Sequence, residues 1–445
     1  MTLNLKRIIS IFASLFILTG TAYADSYLVW GNANWSAKNS KAVTAAGGRI
    51  VRQFPQIGMV VVESDNPDFM NSISGVAGVV PDFHVSAPQT MTFAADDLPQ
   101  PPNTGDDDFF FDLQWGHTSV RAQEAWAAGQ TGAGARVFVL DEGFDLTHPD
   151  LAPNYNLGLS ATFVPLPGEN VDASYVLADP FSHGTHVAGT IAAADNAFGT
   201  IGVAPDAEIV PVKVLSEVVG SGAFSWIIGG ILYAADNGAD VINMSLGTII
   251  PQNLKDDGDS VANEIAALRV AVNRAIGYAY RNGATVIVSA GNDGLDLNAP
   301  ENAALINFNG FASHAVSISA VGPEGWGVDP TTDLNQQAFY TNVGPEVNFA
   351  GQGGTVDFDL LASGQLCLVA GLVRPCYVFD FVFSTGSLNS WYWSIGTSMA
   401  APHAAGVAAI IIGENGGSMH PAQVRAEMAQ RALDLGKPGK DDLFG

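Results

Sequence analysis

The sequence predicts an α/β fold: a doubly wound, mostly parallel sheet with helices on both faces, preceded by a small α+β domain. Two observations carry that prediction. From residue 109 onward, short apolar stretches alternate with helical ones, the signature of repeated strand–helix units. Before residue 90 the order is strand, helix, strand, strand, helix, strand, which suits a small open α/β sandwich. Composition agrees. Charged residues make up 14% of the 445 while glycine occurs 49 times, as in a tightly packed chain with many turns.

The elements follow in order. Lys6 and Arg7 precede an apolar run over 8–18 that is too short to span a bilayer. Ala22-Tyr23-Ala24 then places small residues where a signal peptidase reads, so residues 1–24 are expected to be a signal peptide cut before Asp25. Residues 25–92 form the small domain, with strands over 27–30, 49–54, 59–63 and 79–85 and helices over 38–46 and 70–76. Residues 93–108 hold Pro99, Pro101, Pro102, Gly105 and five Asp, and predict an exposed, flexible linker suited to a proteolytic cut. The large domain spans 109–445. Its buried strands are predicted over 136–140, 209–214, 241–245, 285–289 and 315–320. Its helices are predicted over 184–194, 225–237, 261–281, 398–412 and 421–433. In such a sheet, catalytic groups collect at the carboxyl ends of the strands.

The charge excludes some functions. A formal net charge of −26 argues against nucleic acid, which needs a basic face, and against an anionic membrane surface. It suits solubility, and calcium binding is a second use for the carboxylates. No stretch after the leader is apolar enough for a membrane helix. A soluble monomer outside the cytoplasm (extracellular or periplasmic) is expected. Cys367 and Cys376 stand nine positions apart, a spacing that suits a small disulfide-closed loop in an oxidising compartment, with two free thiols as the alternative.

Three segments carry chemistry. Asp141 directly follows a predicted buried strand, with Gly143 two positions on to allow the turn. Alone, it reads equally as a strand-end cap. Ser182-His183-Gly184-Thr185-His186 opens a helix of small residues that packs close to the sheet and holds an imidazole rigidly. His183 and His186 also stand i,i+3, but without the Glu of a zinc-protease helix they make a weak metal pair. Gly396-Thr397-Ser398-Met399-Ala400-Ala401-Pro402 puts a serine at a helix start. There it is either a plain N-cap or a nucleophile whose oxyanion the positive helix end favours.

Together, in the order Asp, His, Ser, these segments resemble the subtilisin-like serine proteases over roughly residues 110–435. The resemblance implies the subtilisin-like version of the predicted fold. It also implies an endopeptidase in which Ser398 attacks the scissile carbonyl, His183 moves the proton and Asp141 orients the imidazole. Asn292, in Ser289-Ala290-Gly291-Asn292, would donate its amide to the oxyanion. Gly220, Ser221 and Gly222 resemble the edge strand that pairs with substrate backbone. Ser245, Leu246 and Gly247 would line one side of the cleft and Ser289, Ala290 and Gly291 the other, their backbones pairing with an extended polypeptide. Asp150 and Asn196 match calcium ligands of the family, with the carbonyls of Ala194, Phe198 and Thr200 completing an oxygen shell for Ca2+. Residues 47–63 resemble the family's propeptide, which implies a zymogen whose N-terminal domain assists folding and inhibits, its tail lying in the active site until cut.

The sequence departs from the family in three places. Glu142 follows Asp141 where the family has Ser or Thr. It is the one feature favouring the alternative of a catalytically silent binding protein on a protease scaffold. An esterase would need a Gly-x-Ser-x-Gly elbow and the order Ser, Asp, His, neither of which occurs here. Residues 352–394 exceed the family's usual length. They are expected either as a disulfide-closed surface hairpin or, through Trp391, Tyr392 and Trp393, as an added wall of the cleft. The chain stops at Gly445, where the family continues for a short strand.

Overall fold

The computed structural model describes residues 25–445 apart from 33, 88–89, 96–104, 253–254, 257–258, 261 and 308–309. The expected signal peptide and the middle of the expected linker lie outside the described residues.

In the N-terminal unit, β1 (Asp25–Trp30), α1 (Ala37–Ala45), β2 (Gly48–Phe54), β3 (Met59–Ser64), the short α2 (Phe69–Ser72) and β4 (Gly78–Pro81) follow the expected order. They form an antiparallel sheet ordered β2-β3-β1-β4. Alternation along β1 and β3 divides the sheet's faces. Tyr27, Val29, Val60 and Val62 pack with Val43 and Phe69 of the two helices. Leu28, Trp30, Met59 and Val61 join the core of the large domain instead. The predicted last strand over 79–85 is broken after Pro81. Its second half, β5 (His84–Ser86), leaves the sheet and pairs with the large domain.

The large domain is built on parallel strands β7 (Arg136–Asp141), β8 (Glu208–Lys213), β10 (Val241–Met244), β11 (Thr285–Ser289), β12 (Ala315–Gly322) and β13 (Val347–Gln352). The order across the sheet is β13-β12-β11-β10-β7-β8. β9 (Ser221–Ala223) stands apart, at the loop before α4. Burial on both faces explains why these strands read as unbroken apolar runs. Val137 and Val139 of β7 face one core with helices α3 (His183–Ala192) and α6 (Thr397–Glu414). Phe138 and Leu140 face the other, with α4 (Phe224–Asp236) and α5 (Ala262–Arg281). Helix α7 (Pro421–Arg431) closes the outside of α6.

Two expectations need correction. The linker was expected to be exposed from 93 onward, but β6 (Met91–Ala95) crosses the 92/93 boundary as an ordered strand, and Asp108 is fully buried. Trp391, Tyr392 and Trp393 line no cleft. They lie in β17 (Trp391–Ile395), buried against β16 (Val382–Thr385) and the underside of α3. Their apolar area is better removed from water than spent on a cleft wall. The expected hairpin is present as β14 (Leu366–Val369) and β15 (Leu372–Pro375), closed by Cys367–Cys376. The C-terminal residues dock on β12, with Ser319 Oγ donating to the Leu443 carbonyl.

Candidate active site

Asp141 ends β7, and Ser245 follows β10, the next strand in the sheet, so both emerge at the carboxyl edge. His183 is brought there by the first turn of α3. Ser182 caps that helix, its Oγ accepting from the Thr185 N–H. The small residues of α3 have a specific use. A side chain on Gly184 would collide with the Gly143 carbonyl, and one on Gly189 with Thr385. The helix can therefore approach the sheet closely enough for His183 Nδ1 to stand 2.8 Å from Asp141 Oδ1.

Both partners are buried, Asp141 at 0% and His183 at 5% exposure. Burial alone pulls the imidazolium's pKa down. The Asp141 charge and hydrogen bond, aided by Glu142, outweigh that and leave it above the ordinary value. Nε2, the other ring nitrogen, has no hydrogen-bond partner.

Glu142 points inward. Its Oε1 accepts the His183 N–H at 3.2 Å, at the positive end of α3. Burial pushes its pKa up to about 7, with His183 opposing and Asp141 and Glu217 reinforcing the rise. Beside it, buried Lys213 pairs with Glu169 at 2.5 Å and Glu217 at 2.6 Å, tying together the loops that precede β9. Sequence reasoning missed this triad, since nothing in the spacing of Glu169 reveals its partner.

Ser398 is the second residue of α6. Pro402, four residues on, has no N–H to give the Ser398 carbonyl. The Ser245 hydroxyl fills that gap at 2.8 Å, and Ser398 Oγ donates back to the Ser245 carbonyl at 3.1 Å. Ser245 thus fixes the backbone of Ser398, a role the sequence did not suggest. It also means that Ser398 Oγ is turned to Ser245 here, rather than hydrogen-bonded to a base as the sequence reading expected.

Asn292 is oriented by Thr397, whose N–H and Oγ1 both donate to Asn292 Oδ1 at 2.8 Å. Gly291 N–H donates to the same Thr397 oxygen at 3.1 Å. The acceptor end of the amide is held, and its NH2 lies beside Gly396, 3.3 Å from where a Cβ on that glycine would stand. Thr397 was quoted in the motif without a role; its neighbours in the fold supply one.

The expected cleft is partly corrected. Ser221 and Gly222 pair antiparallel with Ser86 and Val85 of the chain's own β5, and Ala87 N–H reaches the Gly220 carbonyl at 2.8 Å. Leu246 is buried and Gly247 half-buried beside Ser245. Backbone pairing does not extend to the 289–291 side. Ala290 N–H is bonded to Ile318 and its carbonyl accepts from Asn307 and Asn342, while Gly291 N–H is taken by Thr397. Ser289, Ala290 and Gly291 form a wall whose polar groups are already satisfied.

Beyond the cut region, β6 continues as the third strand beside β17, Met91 opposite Ile395 and Ala95 opposite Trp391. Thr90 lies close to Gly396. The N-terminal tail therefore enters along β9 and leaves along β17, passing the start of α6.

The expected metal ligands form a separate group. Asp150 is fully buried. Its Oδ2 accepts from Thr200 N–H at 2.8 Å, Thr200 Oγ1 at 3.1 Å and Trp391 Nε1 at 2.8 Å. Asp150 Oδ1 has no partner. Ala194 N–H bonds the Asp150 carbonyl, so the 194–200 loop with Asn196 and Phe198 wraps this side chain. His186 is no metal ligand here: its Nε2 meets the Val382 carbonyl at 3.2 Å and its ring packs on Tyr392.

Comparison with known proteins bears on these features together. The subtilase family profile matches residues 132–445. Subtilisin NAT of Bacillus subtilis subsp. natto is 30% identical over 407 residues, covering 90% of this chain and 82% of its own. Subtilisin of Bacillus pumilus is 33% identical over 328 residues, covering 73% and 93%. Among solved structures, the epidermin leader peptide processing serine protease of Staphylococcus aureus superposes with a TM-score of 0.72 at 20% identity, covering 95% of this chain and 96% of its own. Fervidolysin of Fervidobacterium pennivorans gives 0.65 at 22% identity, covering 97% and 60%. These two show the fold, N-terminal unit included. The chain belongs to the subtilase family, and it is a serine endopeptidase.

Proposed function

We propose that the chain is a secreted, self-processing precursor that cuts extended polypeptides through an acyl-enzyme, with Ser398 as nucleophile and Asp141–His183 as its proton-handling pair. The observation that carries the proposal is the buried Asp141–His183 bond, with Nε2 left unpaired on the strand edge where α6 begins. Rotation about the Ser398 side chain takes Oγ from the Ser245 carbonyl toward that nitrogen. Catalytic hydrogen bonds are commonly long or misaligned before substrate binds. Asp141 keeps the Nδ1–H tautomer and stabilises the imidazolium that forms as Ser398 attacks. The Asn292 amide and the Ser398 N–H at the helix start supply the oxyanion donors. His183 then protonates the leaving amine, and water enters by the same base to release the acyl group.

The N-terminal unit is proposed to be a propeptide that inhibits and assists folding. Its tail occupies β9 as an extended substrate would, and one face of its sheet completes a core with α4 and α5. Backbone pairing along β9 is blind to side chains, so broad specificity is expected. Export rests on the leader-like residues 1–24 and on the subtilisin relatives; among the described residues no helix is long and apolar enough to cross a membrane. Calcium is proposed at Asp150, Asn196 and the carbonyls of Ala194, Phe198 and Thr200. A buried carboxylate oxygen without a donor fits a hard cation. When bound it would supply charge balance and stiffness to the 194–200 loop.

The catalytic assignment is tested with an active-site serine phosphonylating reagent and mass mapping. The adduct should fall on Ser398 and be lost in His183→Ala. An adduct elsewhere would overturn the assignment.

A further inference from the structure

We infer that a second divalent-cation site, sharing no carboxylate with the Asp150 set, staples the end of the acidic linker to the 194–200 loop through Asp106, Asp107, Asp108 and Asp195. One oxygen from each of these four side chains lies within 4.8 Å of all the others. Ligands on opposite sides of a calcium ion at about 2.4 Å are separated by about that distance, so the spacing suits a shared ion. The ligands are all carboxylate oxygens, which favours a hard cation over zinc or copper.

Acidic clusters are common on surfaces, but this one has a buried member. Asp108 is 0% exposed. Its Oδ1 accepts from Phe198 N–H at 3.0 Å and, more weakly, Asn196 N–H at 3.4 Å. Its Oδ2 is buried with no partner at all. A desolvated carboxylate oxygen beside three other carboxylates costs several kcal/mol unless a proton or a cation joins it. None of the ion pairs among the described residues brings a Lys or Arg to any of the four.

The fold holds the cluster in place. Asp106 Oδ1 accepts the Asp108 N–H, and Phe110 N–H bonds the Gly199 carbonyl at 2.7 Å. The linker's last residues therefore lie against the loop that carries Asp195. Asp107 and Asp195 are exposed, which leaves room for water to complete the shell. A cation here would fix the start of the peptidase domain whether or not the N-terminal unit is attached. It would thereby limit fraying after maturation.

The test uses the full chain carrying Ser398→Ala, to prevent autolysis, and compares it with the same chain bearing Asp107→Asn and Asp195→Asn, and separately Asp150→Asn. Metal-free proteins are titrated with CaCl2 by calorimetry, and thermal unfolding is followed with and without the ion. The expected result is that the Asp107→Asn/Asp195→Asn protein loses one binding event or binds it at least tenfold more weakly, while Asp150→Asn retains that event. Both replaced side chains are at the surface, so the metal-free proteins should unfold at matching temperatures. Equal stoichiometry and affinity in the linker variant overturns the site. So does loss of all binding in Asp150→Asn alone, which would assign the calcium entirely to the other set.

Discussion

Replacing Glu142 with Gln separates its charge from its shape. Gln keeps an oxygen to accept the His183 N–H, now bonded at 3.2 Å, and removes the buried charge. In the folded chain the Glu142 carboxyl is raised from 4.5 to about 7, mainly by burial. A raised acid pKa means the folded state holds its proton longer than the unfolded state. The corresponding stability is present below about pH 4.5 and is lost as the pH rises through about 7. At about 1.4 kcal/mol per pH unit, the loss amounts to about 3 kcal/mol. The difference in unfolding free energy between Glu142→Gln and its parent, both in a Ser398→Ala background, should therefore grow by about that amount in favour of Gln between pH 4.5 and 8. Denaturant titrations at a series of pH values measure it. Activity should respond too. Glu142 helps hold the His183 imidazolium above its ordinary range. Without it, the acid limb of kcat/KM against pH should move to lower pH. Parallel stability profiles, with an unmoved acid limb, would refute the inward charged carboxylate and its coupling to the imidazole.

Other perturbations follow from the same contacts. Asn292→Ala removes both the proposed oxyanion donor and the acceptor for Thr397, and should lower kcat by at least 10²–10³-fold with a smaller change in KM; that magnitude is borrowed from a subtilisin, a relative of this chain, and steady-state peptide hydrolysis checks it. Lys213→Met strands Glu169 and Glu217 as buried carboxylates, and should destabilise the fold by about 3–5 kcal/mol in urea unfolding at neutral pH. Replacing Cys367 and Cys376 together by Ala opens a loop of nine residues and should cost about 2–3 kcal/mol while leaving peptide hydrolysis unchanged. The first processing cut should fall between Ala87 and Thr90, bracketed by the strands on β9 and β17, and N-terminal sequencing of the large fragment reads it directly.

Much of this site was legible because local sequence and function coincide. Asp141, His183, Ser398 and Asn292 each sit where a strand ends or a helix begins, and each is flanked by glycine or small residues that the close approach of backbone demands. The sheet was legible because strands buried on both faces must be apolar throughout. The rest depended on partners distant in sequence. Ser245 serves the Ser398 carbonyl because Pro402 withholds an N–H, a relation visible only once two elements meet. Trp391 was read as cleft, but its Nε1 is consumed by Asp150 under α3. Residues 93–108 were read as linker from Pro, Gly and Asp content. That composition cannot foretell that 91–95 find an open edge on β17, or that Asp108 is drawn beneath a loop some 90 residues away. Ala290 and Gly291 were assigned to substrate pairing by analogy with a strand edge, and lost that role to Asn307, Asn342 and Thr397.

The most direct test of the central claim is intact mass and casein hydrolysis for purified wild type and Ser398→Ala, with calcium present. Wild type should shed a fragment ending between Ala87 and Thr90 and degrade casein, while Ser398→Ala keeps its N-terminal unit and leaves casein whole. A folded wild type that retains the N-terminal unit and does not cut casein, or a Ser398→Ala protein that still does both, would contradict it.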